Sequence, residues 1–131
     1  GVRVSAAIAA SGALIKNAKK IGSANLIASD LPKGLSADEL RSVALYLKDK
    51  LENAVIVLSS IVEGKVILIC AVSAEINKVG VRAGELLKAG SAFLGGGGGG
   101  KDDFAQGGGV DSAKISEAFQ NIEKTISSKL K

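Results

Sequence analysis

Apolar residues recur along this chain with a period that changes from segment to segment, and those changes divide it. Residues 1–21 carry Val4, Ile8, Ile15 and Ala18 at helical spacing, with Lys16, Lys19 and Lys20 near the end and Gly22 as a stop. That pattern predicts a helix. It opens without a good capping residue, as the tail of a longer helix would. The short apolar run 25–29, Asn-Leu-Ile-Ala-Ser, predicts a buried strand that ends at the turn residues Pro32 and Gly34. Ser36 and Glu39 then stand at capping-box spacing, hydroxyl and carboxylate each able to satisfy a free amide at a helix start. Leu40, Val43, Ala44, Leu47 and Leu51 follow on one helical face.

Two runs rich in Val and Ile, 54–59 and 65–73, predict strands joined through Glu63-Gly64-Lys65 as a hairpin. A helix is expected over 78–93. Its interior Gly80, Gly84 and Gly90 cost helix stability, so they should serve close packing or a bend. The composition then shifts. Six consecutive glycines at 95–100, Lys101-Asp-Asp-Phe-Ala-Gln106, and three more glycines at 107–109 read as a glycine-rich loop. Asp111 is expected to cap a last helix in which Ile115, Phe119, Ile122, Ile126 and Leu130 recur, with Lys124, Lys129 and Lys131 toward its negative end. The predicted class is α+β, or an open α/β sandwich: a small Val/Ile-rich sheet packed with helices and preceded by an N-terminal helix. The expected division is 1–21, the tail of a preceding helical segment, and 22–131, a globular glycine-rich domain.

Composition narrows the chemistry. Of 131 residues 47% are hydrophobic, yet only Tyr46, Phe93, Phe104 and Phe119 are aromatic, so the core is aliphatic. The chain starts at Gly1 and contains no Met, which marks it as an expected piece of a longer protein. Cys70, alone in an apolar run at 66–72, reads as a buried thiol, and a single cysteine makes no internal disulfide, in keeping with a cytoplasmic location. No apolar run has the length of a membrane helix, and no membrane partner is expected. Seventeen basic against thirteen acidic residues leave +4, a mild lean toward polyanions. The absence of His removes Ser/His and Cys/His nucleophilic systems and His-based zinc sites together. Asp102-Asp103 reads as a solvated loop pair before it reads as a divalent-ion site. Gly95-x-x-x-x-Gly100-Lys101 is formally near a P-loop, but Asp102 stands where Ser or Thr must hold magnesium, and the loop follows a predicted helix. Nucleotide hydrolysis is therefore excluded. No catalytic residue, metal site or cofactor is expected in this chain.

A glycine run can be a flexible linker. It can also let backbone approach a ligand closely and offer successive amides as a nest for phosphate or sugar oxygens. The second use nominates Gly96, Gly97, Gly98, Gly99, Gly100 and Lys101 as RNA contacts. It carries Gln106, Gly107 and Gly108 along, and it expects Val at positions 97 and 98 to weaken RNA binding with little effect on the fold. Phe104 is expected as a core anchor before a base-stacking platform. The segment Gly-Gly-Gly-Gly-Gly-Gly-Lys101-Asp-Asp-Phe-Ala-Gln106-Gly-Gly-Gly, followed by an amphipathic helix, resembles the glycine-rich DHH-associated domain that ends alanyl-tRNA synthetases. The capped Asp38-Glu-Leu-Arg41 helix, the hairpin at Gly64-Lys65 and Ala83-Gly84 agree with it, so the resemblance covers nearly all of 22–131. It departs at Lys101-Asp102, where the synthetases often carry Arg-Pro. The same domain is appended to DHH-family phosphoesterases, whose version usually holds a His absent here. The resemblance implies a non-catalytic domain that binds tRNA(Ala) at the outer corner and links aminoacylation with editing. The remaining synthetase domains would be further partners, and ATP, magnesium and zinc would belong to them. In some members the domain assists dimerisation, which makes a second copy another implied partner. The alternatives are the substrate-binding domain of a DHH phosphoesterase and a dimerisation module.

Overall fold

The computed structural model describes residues 1–130; Lys131, the last of the expected C-terminal cations, lies outside the described residues. In chain order the elements are α1 (Val2–Ala9), α2 (Gly12–Lys16), β1 (Lys19–Ile21), β2 (Ala24–Asp30), α3 (Ala37–Lys50), β3 (Ala54–Val62) and β4 (Lys65–Val72). They continue with α4 (Ala74–Lys78), α5 (Ala83–Ser91), β5 (Gly98–Gly100), β6 (Phe104–Gly109), a 3-10 turn (Ser112–Lys114) and α6 (Ile115–Lys129). The six strands form one mixed sheet in the order β1-β2-β3-β4-β6-β5. Only β2 and β3 run parallel, and α3 makes the crossover between them. The fold class is α+β, as the sequence pattern predicts.

The central strands are apolar on both faces because helices cover both. In β4, Val66, Leu68, Cys70 and Val72 join a cluster with α4, α5 and α6, while Ile69 and Ala71 join the opposite cluster with α3. The same alternation splits Val55 and Val57 from Ile56 and Leu58 in β3. A strand buried on both sides reads as a near-continuous apolar run, which is how these two announce themselves. Buried Ser59 and Ser60 keep their hydroxyls satisfied, Ser59 donating to Asp30 at 2.8 Å and Ser60 to the Leu35 carbonyl at 2.5 Å.

Four local expectations need correction. Residues 1–21 are not one helix: two short helices are followed by β1, which pairs antiparallel with Ala24–Leu26 around Gly22 at φ 56°. Residues 78–93 are not one helix either, because Gly80, at φ 103°, breaks the path between α4 and α5. Asp111 gives no side-chain cap; the 3-10 turn comes first, and the Asp111 carbonyl accepts the Lys114 amide at 3.1 Å. Finally, the glycine-rich segment is no loop. It supplies β5 and β6, an antiparallel hairpin at one edge of the sheet.

Candidate functional site

The hairpin is held by backbone contacts, since its glycines have no side chains to pack. β6 pairs with β4 from Val66↔Gly109 to Ala71↔Phe104, and β5 pairs with β6 through Gly99↔Gln106 and its neighbours. The turn at 101–103 sits on the start of α5, which lacks a side-chain cap. The carbonyls of Asp102 and Lys101 accept the amides of Ala83 (2.8 Å) and Gly84 (3.1 Å), satisfying orphan donors of the first turn. Asn77 adds its side-chain amide to the Asp102 carbonyl at 2.7 Å. Gly84 allows this closeness: a Cβ there would lie 3.3 Å from the Gly100 carbonyl oxygen.

On the α3 side of the hairpin lies an open cleft of about 350 Å³, lined by Arg41, Gly99, Gly100, Lys101, Asp103, Phe104, Ala105 and Gln106. Two cations face one carboxylate there. Asp102 is turned toward Arg82 instead, 3.8 Å away. The Arg41 guanidinium lies over the Phe104 ring, 4.3 Å from its centroid. Phe104 itself is half-buried and packs on the α3-side cluster, so it anchors the core and floors the cleft together.

Four expected contacts, Gly99, Gly100, Lys101 and Gln106, are thus brought together; the other five are not in the cleft. Gly98 and Gly107 pack under α5, where a Cβ would lie 3.0 and 2.9 Å from Leu87 Cδ1. Gly96 abuts the Gly108 carbonyl oxygen, and Gly108 abuts that of Val66. A Cβ on Gly97 would meet nothing within 4 Å. Val at 97 is therefore tolerable, but Val at 98 is not: its φ is 144°, and a Cβ would sit 2.5 Å from the Gln106 carbonyl oxygen. The Gly108 amide bonds to Gly97 and the Lys101 amide to Phe104, so alternation along the ladder leaves the N–H and C=O of Gly98 and Gly100 on the outer edge. The extended strand sets these amides in a row, about 7 Å apart, rather than around one point. Arg41 is the residue that sequence reading missed. It lies on a helix far upstream, and nothing in its local pattern ties it to the glycines.

A model of the DHHA1 domain family matches residues 23–128. The chain belongs to the DHHA1 domain family. Two alanine–tRNA ligases are among its curated relatives. That of Nocardioides sp. is 41% identical over 128 residues and that of Trichodesmium erythraeum 36% over 125; each match covers 95% of this chain and 14% of the ligase. The chain thus spans about a seventh of the length of these relatives. Among solved structures, the C-Ala domain of Aquifex aeolicus alanyl-tRNA synthetase superposes with TM-score 0.78 at 30% identity, covering 85% of this chain and 98% of that one. RecJ from Thermus thermophilus superposes with TM-score 0.65 at 19% identity, over 96% of this chain and 17% of RecJ, which shows a shared fold. This DHHA1 domain is accordingly like the C-Ala domain in both sequence and architecture. Among its described residues no group of three His, Cys, Asp or Glu is placed to hold a metal ion. No helix among them is long and apolar enough to cross a membrane.

Proposed function

We propose that this domain binds tRNA(Ala) as the C-terminal part of an alanine–tRNA ligase, contacts the outer corner of the tRNA, and helps one tRNA serve both aminoacylation and editing. The observation that carries the reading is the cleft. Arg41 and Lys101 share it with the side-chain-free backbone of Gly99 and Gly100, at a sheet edge, in a chain 41% identical over 128 residues to an alanine–tRNA ligase. Bare backbone lets a sugar–phosphate strand come close, and the cations offset its charge. Few aromatics are available for stacking single-stranded bases, and A-form grooves present mainly sugar and phosphate, so shape is the feature to be recognised. The domain supplies no catalytic group and no cofactor of its own in this reading; ATP and metal chemistry belong to other parts of the ligase. The phosphoesterase alternative rests on likeness of fold with RecJ and lacks the His that its glycine motif usually holds.

The test is a titration against intact tRNA(Ala), a tRNA whose D-loop/T-loop contact is broken, and an acceptor-stem minihelix. Intact tRNA is expected to bind at least tenfold more tightly than either of the others, an arithmetic difference of about 1.4 kcal/mol. Equal affinity for the minihelix would remove the corner as the site.

A further inference from the structure

Resting on that tRNA-binding reading, we propose that Arg41 is a backbone-phosphate contact of the cleft and that Phe104 holds its guanidinium in place for that purpose. The other two arginines of the chain are committed elsewhere. Arg3 pairs with Glu39 and Arg82 with Asp102. Arg41 has no carboxylate within ion-pair distance among the described residues. Its one specific contact is the face of Phe104, at 4.3 Å.

Stacking on a ring fixes the guanidinium plane without using its N–H donors, which remain available for a planar, two-oxygen acceptor. A phosphodiester is such an acceptor, and an arginine fork binds it with two parallel hydrogen bonds. The position agrees. Arg41 comes from α3, on one side of the hairpin, while Lys101 stands at the β5–β6 turn, and both line the same cleft with Gly99 and Gly100. A strand lying over the glycines would meet a cation from each. Asp103 lines the same cleft and opposes a phosphate, so it limits affinity and narrows where a strand can lie.

The experiment measures tRNA affinity across a range of salt concentrations for the intact domain and four variants. Removing one phosphate contact lowers the magnitude of the log–log salt slope by about 0.7–0.9. Arg41→Gln is expected to lose affinity about tenfold and to show that fall in slope. Arg41→Lys keeps the charge but not the fork, so its slope should match the parent while affinity falls severalfold. Asp103→Asn should bind more tightly. Lys65→Gln, exposed at the far end of β4 about 20 Å along the strand, should change neither quantity. An unchanged slope and affinity in Arg41→Gln, with the parent binding tRNA, overturns the role of Arg41 and leaves the tRNA reading standing. Lost affinity with an unchanged slope overturns it too, because that is the mark of a packing defect around Phe104. A parent domain that binds no tRNA overturns both. If Arg41→Gln also melts early, Arg41→Lys decides: a severalfold loss of affinity at a parent-like slope supports the contact, and parent-like affinity or a reduced slope overturns it.

Discussion

A glycine is defined by the Cβ it lacks, and along residues 96–100 that lack matters at alternate positions. A Cβ on Gly98 would lie 2.5 Å from the Gln106 carbonyl oxygen, one on Gly100 2.5 Å from that of Phe104, and one on Gly96 would run into that of Gly108. At Gly97 nothing lies within 4 Å, and at Gly99 only the Lys88 Cε lies at 4.0 Å. Gly96, Gly98 and Gly100 are therefore required by the fold, Gly95 is favoured by its φ of 67°, and Gly97 and Gly99 are spare from the fold's point of view. The spare positions are where a functional demand for bare backbone can be read separately. Gly98→Ala should cost about 2–3 kcal/mol, since it adds a collision with backbone to an unfavourable positive φ. Gly97→Ala should stay within about 0.5 kcal/mol of the parent, as an ordinary surface change does. Urea melts of the two variants test this. Equal loss in both would mean that the alternation has no energetic content. The sequence shows nine glycines in fifteen residues but not this alternation, because residues without side chains carry no hydrophobic period to read.

At the scale of elements, legibility follows side chains. Helix α3 is written out in full: Ser36 accepts the Glu39 amide at 3.2 Å, and the Glu39 carboxylate accepts the Ser36 amide at 2.9 Å. The buried face of Leu40, Val43, Ala44 and Leu47 follows at the expected spacing. The β3–β4 hairpin was equally plain, because two-sided burial gives both strands near-continuous runs of Val, Ile and Leu. Where those signals fade, so does the reading. Lys19-Lys20-Ile21 carries too short a pattern to be told from the end of a helix, and it is a strand only because β2 offers an edge. Gly80 looked like a tolerated interior residue, but its φ of 103° ends α4. The capping box yields a prediction with a pH sign. The Glu39 pKa is lowered, chiefly by the hydrogen bond from the Ser36 amide, with the Ser36 hydroxyl and Arg3 adding to it. A carboxylate depressed in the folded state stabilises above the ordinary Glu value, and that contribution is lost as pH falls through the lowered value. Ser36→Ala should cost about 1 kcal/mol at neutral pH. Glu39→Gln should be less stable than the parent at neutral pH and converge on it in acid. Parallel stability curves for parent and Glu39→Gln down to the acid limit would refute the assignment.

At the scale of the whole molecule, the sheet joins pieces that the sequence separates. Its class and its aliphatic core were legible in the chain, and the glycine-rich segment of the candidate cleft was singled out there through family resemblance as much as through chemistry. Arg41 was not, because what places it beside Lys101 is the pairing of β4 with β6, a long-range contact with no local trace. The same long-range logic bears on residues 1–21, which read as the tail of a preceding helical segment. Within them β1 extends the sheet, Ile21 packs on the α4–α6 side, and Lys19 reaches Glu123 of α6 at 2.7 Å. Val4, Ala7, Leu14, Ile15 and Ala18 cover part of the α3-side cluster. Each of these apolar residues is only partly buried, so the segment should be a modest stabiliser rather than a prerequisite. A chain beginning at Gly22 should still melt in one cooperative step, about 2 kcal/mol less stable. At about 3–5 °C per kcal/mol for a domain of this size, its midpoint should fall by about 6–10 °C. Calorimetry on the full and shortened chains measures this directly. An unchanged midpoint would make the segment a passive appendage despite its place in the sheet. Loss of any cooperative transition would mean that β1 and the two short helices are integral to the fold, and that the division at residue 22 has no thermodynamic meaning.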